Sequence, residues 1–159
     1  MFNSPNYPSM YPNDLNCTWK LSVPQGYRVK LNFTQFELEW SEECRYDSVV
    51  VKSKNDTLGK YCGRRPLQSR KQEHILPQEP FLAPDNLLQV VLSTDHSNEV
   101  EVHGFQAHFV AIDVDECLIN NGGCAHFCHN YIGGYYCSCE RSHRLTKDGY
   151  GCIGKYIKS

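Results

Sequence analysis

The chain has 159 residues, a formal net charge of −2 at pH 7 and 9 cysteines. Its near-neutral charge argues against a dedicated nucleic-acid binder, which normally carries a basic face. No apolar run approaches the roughly 18 residues needed to cross a bilayer, so we expect no membrane span. Aromatic residues make up 12% of the chain, which is enough to cover a hydrophobic core.

Alternating apolar residues predict short strands over residues 1–112. The alternation is seen at Trp19, Leu21 and Val23, at Val29, Leu31 and Phe33, at Leu88, Val90 and Leu92, and at Phe105, Ala107, Phe109 and Ala111, with an apolar run at Val49–Val51. Period two is typical of strands that bury one face, and no segment shows a helical period. The pattern predicts an all-β fold, an antiparallel β-sandwich.

The cysteines divide the chain into two regions. Only Cys17, Cys44 and Cys62 precede residue 117, whereas the other six lie within residues 117–152. The second region is too short to bury a large core and is expected to depend on disulfides. We therefore predict one domain over 1–112, a second over 113–153 and a tail over 154–159.

Cysteine density indicates an oxidising compartment, so we expect a secreted, extracellular protein. Glycosylation sequons at Asn16, Asn32 and Asn55 agree with this expectation. A disulfide between Cys44 and Cys62 would contribute about 3 kcal/mol in the chain-entropy model.

Acidic residues crowd two stretches of the first region. If Glu39, Asp47 and Asp95 converge, their repulsion requires a cation or a proton. Calcium would relieve it and could also take the Ser97 carbonyl and the Asn98 amide oxygen. The alternatives are a solvated acidic face or, from the same carboxylates, a glycosidase acid/base pair.

A second set of oxygen donors surrounds the first cysteine of the second region. Side chains of Asp113, Glu116 and Asn130 and carbonyls of Val114, Tyr131 and Gly134 could bind calcium. The alternative is a solvated linker with a turn at Asn130. The spacing of the six cysteines leaves 15 connectivities open, and a zinc site using Cys137, Cys139, His126 and His129 is a further alternative.

No catalytic motif is present: the chain has no Gly-X-Ser-X-Gly, no His-Glu-X-X-His and no phosphate-binding glycine loop. We therefore expect a non-catalytic chain. A basic run at Arg64, Arg65, Arg70 and Lys71, beside a loop from Pro66 to Pro84, is either solvated or an anionic-surface contact.

Several motifs of the first region resemble a CUB domain. They are Ser4-Pro5-Asn6-Tyr7-Pro8, Tyr11-Pro12, Cys17-Thr18-Trp19, Cys44-Arg45-Tyr46-Asp47 and Tyr61-Cys62-Gly63. The resemblance implies a jelly-roll-like β-sandwich. The Glu, Tyr-Asp and Asp-X-Ser-Asn motifs at Glu39, Tyr46-Asp47 and Asp95–Asn98 resemble those of calcium-binding CUB domains.

The second region resembles a small, disulfide-rich, calcium-binding EGF-like module. The resemblance implies the pairs Cys117–Cys128, Cys124–Cys137 and Cys139–Cys152, and β-hydroxylation of Asn130. It implies two calcium sites, one per domain, of which the second would stiffen the hinge between them.

The joined pair resembles the N-terminal segment of the complement serine proteases, those of the first component and those associated with mannan-binding lectin. Runs such as Thr94–Glu99 and His129–Cys139 carry this likeness. It implies calcium-dependent docking on lysines of collagen-like stalks in collectins, ficolins or the first-component recognition protein. The lysine-binding residues would be Tyr46, Asp47, Asp95, His96 and Glu99.

The same resemblance implies a homodimer in which the CUB domain of one chain packs on the EGF-like module of the other. Candidate contact residues are Phe105, Phe127, Tyr135 and Tyr136. The full-length parent would be a secreted serine protease, or this chain its truncated product. The alternative is a regulatory or substrate-selecting fragment of a tolloid-like metalloprotease, because Cys17 resembles the CUB cysteines of that family.

Overall fold

The computed structural model of the chain describes residues 1–64, 80–97 and 100–155, which form twelve strands. The strands are β1 Phe2–Asn3, β2 Asn16–Ser22, β3 Tyr27–Glu37, β4 Ser48–Lys52, β5 Thr57–Tyr61, β6 Phe81–Leu82, β7 Leu87–Ser93, β8 Gly104–Asp113, β9 Phe127–Tyr131, β10 Gly134–Ser138, β11 His143–Leu145 and β12 Cys152–Gly154. Short 3-10 turns occur at Glu42–Cys44, Glu116–Leu118 and Asn120–Gly123. The predicted all-β class is confirmed.

Two four-stranded antiparallel sheets form the first region. One has the order β1-β8-β3-β6 and the other the order β2-β7-β4-β5. Apart from β4 and β5, neighbouring strands in each sheet are distant in sequence, so the register is set mainly by long-range pairs such as Trp19 with Val90 and Val49 with Leu92. Both sheets carry apolar residues at alternate positions, as strands packed on one face should.

The core contains the alternating residues that predicted the strands. Phe105 of β8 is fully buried, and its ring lies 5.3 to 5.9 Å from the rings of Phe2, Trp19 and Phe33. Edge-on packing of such rings adds to the energy of burial. Because Phe105 has no exposed surface, its assignment to a dimer contact is wrong.

The second region is stapled by disulfides. Cys117–Cys128, Cys124–Cys137 and Cys139–Cys152 form, which are the pairs implied by the EGF-like resemblance. The hairpins β9–β10 and β11–β12 complete it. The zinc alternative is wrong, because Cys137 and Cys139 carry no free thiolate for a metal.

The chain separates into two compact units. The first contains Met1–Pro24 and Arg28–Ile112, and the second contains Gln25–Tyr27 and Asp113–Ser159. In the second unit, the Val114 amide donates to the Gly26 carbonyl at 3.0 Å. A Cβ atom on Gly26, whose φ is +89°, would lie 2.6 Å from the Gly133 carbonyl oxygen, so only glycine fits this turn.

The structure also places the remaining cysteines and the residues of the glycosylation sequons. Cys44 pairs with Cys62, whereas Cys17 is free and half-buried on β2. Of the sequon residues, Asn16 and Asn55 are exposed and Asn32 is half-buried on β3. Within the described part of the chain, no helix is long and apolar enough to cross a membrane.

Part of the predicted basic run and of the Pro66–Pro84 loop lies outside the described residues, as do Asn98, Glu99 and residues 156–159 of the tail. Arg64 is described: its guanidinium donates to the Glu101 carbonyl at 2.8 Å and lies 4.0 Å from the Glu37 carboxylate.

Candidate metal centre

The antiparallel pairing of β4 and β7 brings two of the predicted acidic residues together. Ser48, at the start of β4, is the partner of Ser93, at the end of β7. Asp47 directly precedes β4, and Thr94 alone separates Asp95 from the end of β7. Residues just beyond paired ends of antiparallel strands are spatial neighbours, so these two carboxylates meet at one edge of the sheet.

Glu39 completes the group from the loop that follows β3. The Leu38 amide donates to the Gly63 carbonyl at 2.7 Å, which holds this loop beside the Cys44–Cys62 disulfide. Carboxylate oxygens of Glu39, Asp47 and Asp95 all lie within 4.8 Å of one another. The structure therefore brings the three acidic residues together.

Burial makes this arrangement electrostatically costly. Asp47 is fully buried and Glu39 is 8% exposed. Burial raises the pKa of Asp47 to about 6, and the charges of Asp95 and Glu39 add to the rise. Hydrogen bonds from Tyr11 and Asp95 act in the opposite direction. Three carboxylates at this spacing are a donor set of hard oxygens that fits calcium, which would remove their repulsion.

Tyr11 orients the buried carboxylate. Its hydroxyl donates to Asp47 Oδ2 at 2.6 Å and accepts from the Glu39 amide at 3.1 Å, while the Asp95 amide donates to Asp47 Oδ1 at 2.9 Å. Burial and the adjacent carboxylates raise the pKa of Tyr11, so it stays a donor at neutral pH. The sequence reading used Tyr11 only as a motif residue, because nothing in the sequence shows a contact over 36 positions.

An open cleft of about 560 Å³ lies against this group. Its lining consists of Glu39, Trp40, Ser41, Glu42, Arg45, Tyr46, Asp95, His96 and Ser97. Tyr46 and His96, both expected to contact a ligand, are exposed here. Ser97 follows in the same loop, where its amide donates to Asp95 Oδ1 at 3.3 Å.

The second predicted cluster lies in the second unit. Asp113 accepts hydrogen bonds at both oxygens, from Asn130 Nδ2 at 2.9 Å and from the Gly133 amide at 2.7 Å. These bonds lower the pKa of Asp113, the Gly133 amide most. Tyr131 and Gly134 face each other across the β9–β10 hairpin.

The Glu116 carboxylate bears on whether this cluster suits a cation. Its Oε2 atom is buried and has no hydrogen-bond partner among the residues that the structure describes. A buried carboxylate oxygen without a donor is expensive, and a cation ligated there would satisfy it. No hydrogen bond in the described part of the chain joins Glu116 to Asp113 or Asn130, so the structure gathers only part of the predicted set. Val114 is adjacent to Asp113.

Comparisons with known proteins agree with this architecture. A profile described as the CUB domain matches residues 1–109, and the chain therefore belongs to the CUB domain family. A second profile, described as the Coagulation Factor Xa inhibitory site, matches residues 117–152, which form the EGF-like segment. The predicted recognition as a CUB–EGF segment is confirmed.

Particular relatives narrow the likeness to complement proteases. Complement C1s subcomponent of Sus scrofa is 45% identical over 150 residues, and Mannan-binding lectin serine protease 1 of Homo sapiens is 43% identical over 152. Each alignment covers 94% of this chain and 21% of the relative, so the chain spans about a fifth of the relatives' length.

Solved structures show the same likeness. The CUB1-EGF-CUB2 domain of human MASP-1/3 superposes with a TM-score of 0.87 at 42% identity, covering 96% of this chain and 55% of that one. The MASP-1 CUB2 domain bound to Ca2+ superposes with a TM-score of 0.56 at 25% identity, covering 68% of this chain and 88% of that one.

Proposed function

We propose that this chain is a calcium-dependent interaction module of a complement-type protease that docks on lysine side chains of collagen-like stalks. One observation carries the proposal. Three carboxylates, with oxygens within 4.8 Å of one another, border an open cleft that presents the exposed ring of Tyr46.

The chain's own residues account for calcium retention. Glu39, Asp47 and Asp95 would hold the ion, with the Ser97 carbonyl oxygen and the Asn98 side-chain amide oxygen as further ligands. When bound, calcium neutralises the repulsion among these carboxylates. Tyr11 and the Asp95 amide fix the orientation of Asp47.

Lysine recognition would use the carboxylate oxygens at the cleft surface. Asp95, which lines the cleft, would accept hydrogen bonds from the three donors of an ammonium group. Asp47, also predicted to bind lysine, is fully buried and would act through the calcium ion that it holds. The Tyr46 ring would pack along the lysine methylenes. His96 and Glu99 follow Asp95 in the sequence and would contact the same lysine. The cleft is open to solvent, so these contacts would be weak and sensitive to salt.

Self-association would convert weak contacts into useful affinity. A homodimer that engages several stalks gains through effective concentration. Phe127 and Tyr136 are 50% and 57% exposed on the β9–β10 hairpin and are available for a contact with a second chain. Tyr135 is half-buried, so it is the weaker candidate.

The second calcium would be held by the Asp113, Glu116 and Asn130 side chains with carbonyls of Val114, Tyr131 and Gly134. The buried, unpaired Glu116 oxygen supports this site. Hydroxylation of Asn130 is sterically open, because its side chain is exposed. Exposed Asn16 and Asn55 are the sequon residues best placed to carry glycans.

The relatives support the biological setting. The name of the relative called Mannan-binding lectin serine protease 1 joins a protease to a lectin, and the MASP-1 CUB2 structure contains Ca2+. We infer a secreted chain whose partners are collectins, ficolins or the first-component recognition protein. Any protease activity of a parent protein would belong to a part outside these 159 residues.

The test measures binding of the chain to an immobilised lysine-containing collagen-like peptide in calcium. We expect binding to disappear with EDTA and with Asp95→Ala, while the matched variant of an exposed aspartate, Asp56→Ala, binds like the wild type. The matched peptide with glutamine in place of lysine should not bind. Unchanged binding in EDTA and in Asp95→Ala rejects the proposal.

One observation favours the second candidate, a fragment of a tolloid-like metalloprotease. Cys17 is free and half-buried, as expected if its disulfide partner belongs to a longer parent chain. The sequence of the parent protein decides between the two hypotheses. An upstream cysteine that pairs with Cys17 favours a tolloid-like metalloprotease, and the absence of such a cysteine favours a complement-type protease.

A further inference from the structure

The cleft beside the acidic group carries charges of both signs. Glu39 and Asp95 line it on the acidic side, and Arg45 contributes a permanent cation to the same lining. Its volume of about 560 Å³ is in the range of sites that bind ligands larger than one side chain. A lysine side chain alone would use only the acidic part.

A ring contact and backbone constraints position Arg45 at this cleft. Its guanidinium carbon lies 5.2 Å from the centroid of the Tyr46 ring, within the range of a cation–π contact. Its backbone follows Cys44, which is tied to Cys62, and its amide donates to the Glu42 carbonyl at 3.3 Å. The Tyr46 amide donates to Ser41 Oγ at 3.1 Å.

The guanidinium has no intramolecular carboxylate partner among residues 1–64, 80–97 and 100–155. Glu42 and Glu43 are close in sequence, yet the ion pairs in this part of the chain involve Arg64 and His103 instead. Arg45 is exposed. Its planar set of five donors is therefore available to a carboxylate on a ligand, which it can bind at two points.

We propose that the cleft selects lysines that have a carboxylate on the neighbouring residue of the stalk. The ammonium group contacts the acidic side, and the neighbouring carboxylate contacts Arg45. This inference rests on the proposed function, because it names the kind of lysine that the same site accepts.

Charge complementarity excludes simpler ligands. A lone anion is repelled by Glu39 and Asp95, and a run of lysines is repelled by Arg45. A ligand that carries both charges is favoured at both ends and disfavoured at neither. Specificity then comes from rejection of wrong neighbours as much as from attraction of the right one.

The test compares three soluble collagen-like peptides that differ only in the residue beside the lysine, which is glutamate, glutamine or lysine. In calcium, the wild type should bind the glutamate peptide about two- to fivefold more tightly than the glutamine peptide, as expected of one exposed ion pair. The peptide with a second lysine should bind most weakly.

Three variants locate the source of this preference. Arg45→Gln should bind the glutamate and glutamine peptides equally, and Arg45→Lys should keep a smaller preference because it loses the planar fork. Lys20→Gln removes one exposed charge from β2 and should keep the wild-type preference. Rising salt should reduce the preference in the wild type.

The outcomes separate the two proposals. Equal wild-type affinity for the glutamate and glutamine peptides overturns the inference and leaves lysine docking intact. A preference that persists in Arg45→Gln also overturns it. If all three peptides fail to bind, the proposed function is rejected and the inference with it. The same holds if replacing the docking lysine by glutamine leaves their affinity unchanged.

Discussion

The two units of this chain reach a folded state by different means. The sandwich buries whole apolar side chains such as Val29, Phe36 and Phe105. In the second unit the buried apolar residues are Cys124 and Cys137, whereas Leu118 and Ile132 are 82% and 80% exposed in the described chain. A segment this short cannot bury enough apolar surface, so disulfides take the place of a core.

Reduction of the disulfides should have the largest effect on folding, and the effect should differ between the two units. Three bridges with sequence separations of 11, 13 and 13 hold the second unit. Each closed loop of this size contributes about 3 kcal/mol. We expect reduction to unfold the second unit, whereas the sandwich loses only the Cys44–Cys62 bridge and stays folded on its apolar core. Amide hydrogen exchange should show Tyr136 unprotected while Val90 stays protected; simultaneous loss of protection at both would contradict the comparison.

A core truncation should matter in the sandwich and hardly at all in the second unit. Phe105→Ala leaves a cavity among the rings of Phe2, Trp19 and Phe33, and we expect a loss of about 3–5 kcal/mol in unfolding free energy. Leu118→Ala removes an exposed side chain and should change it by less than about 0.5 kcal/mol. Denaturant titrations of the oxidised protein measure both, and equal losses would show that the second unit has a core of its own.

The sandwich calcium site should depend on a residue that does not ligate. Tyr11→Phe keeps the buried ring but removes the hydroxyl that donates to Asp47, so calcium affinity at this site should fall roughly tenfold. Tyr61→Phe removes the same atom from a half-buried ring on β5 and is the control. Calorimetric titration with calcium gives the affinities. Unchanged affinity in Tyr11→Phe means that Asp47 is positioned without this bond.

As the pH falls, the calcium site of the sandwich should lose affinity before the site of the second unit does. Burial raises the pKa of Asp47 to about 6, so a proton competes with calcium for this carboxylate as the pH falls through that value. Hydrogen bonds from Gly133 and Asn130 lower the pKa of Asp113, so the second site should keep its affinity to more acidic pH. Calcium titrations across this range should show the sandwich site failing first. The reverse order would contradict the assignment.

Much of the fold could be predicted from local pattern, because strands that bury one face alternate. The residues around Trp19, Leu31, Val90 and Ala107 lie on β2, β3, β7 and β8 as expected. At the end of β8 the alternation continues but burial does not, since Ala111 is exposed. Strands β1 and β6 have two residues each and are too short for any periodic signal.

The site was less accessible to sequence reasoning. Acidic crowding made the convergence of Glu39, Asp47 and Asp95 a hypothesis, and the family resemblance strengthened it. Local pattern could not establish it, since their meeting depends on the pairing of β4 with β7 across a long sequence separation. Tyr11 and Arg45 carried no local signal. Their roles come from a hydrogen bond and a ring contact that depend on tertiary structure.

Calorimetric titration of the wild type, Asp95→Asn and Asp113→Asn with calcium tests the central claim most directly. The wild type should bind two ions, and Asp95→Asn should lose the sandwich ion while it keeps the other. Asp113→Asn should show the converse. If Asp95→Asn binds two ions with unchanged affinities, the three carboxylates of the sandwich do not share a calcium ion.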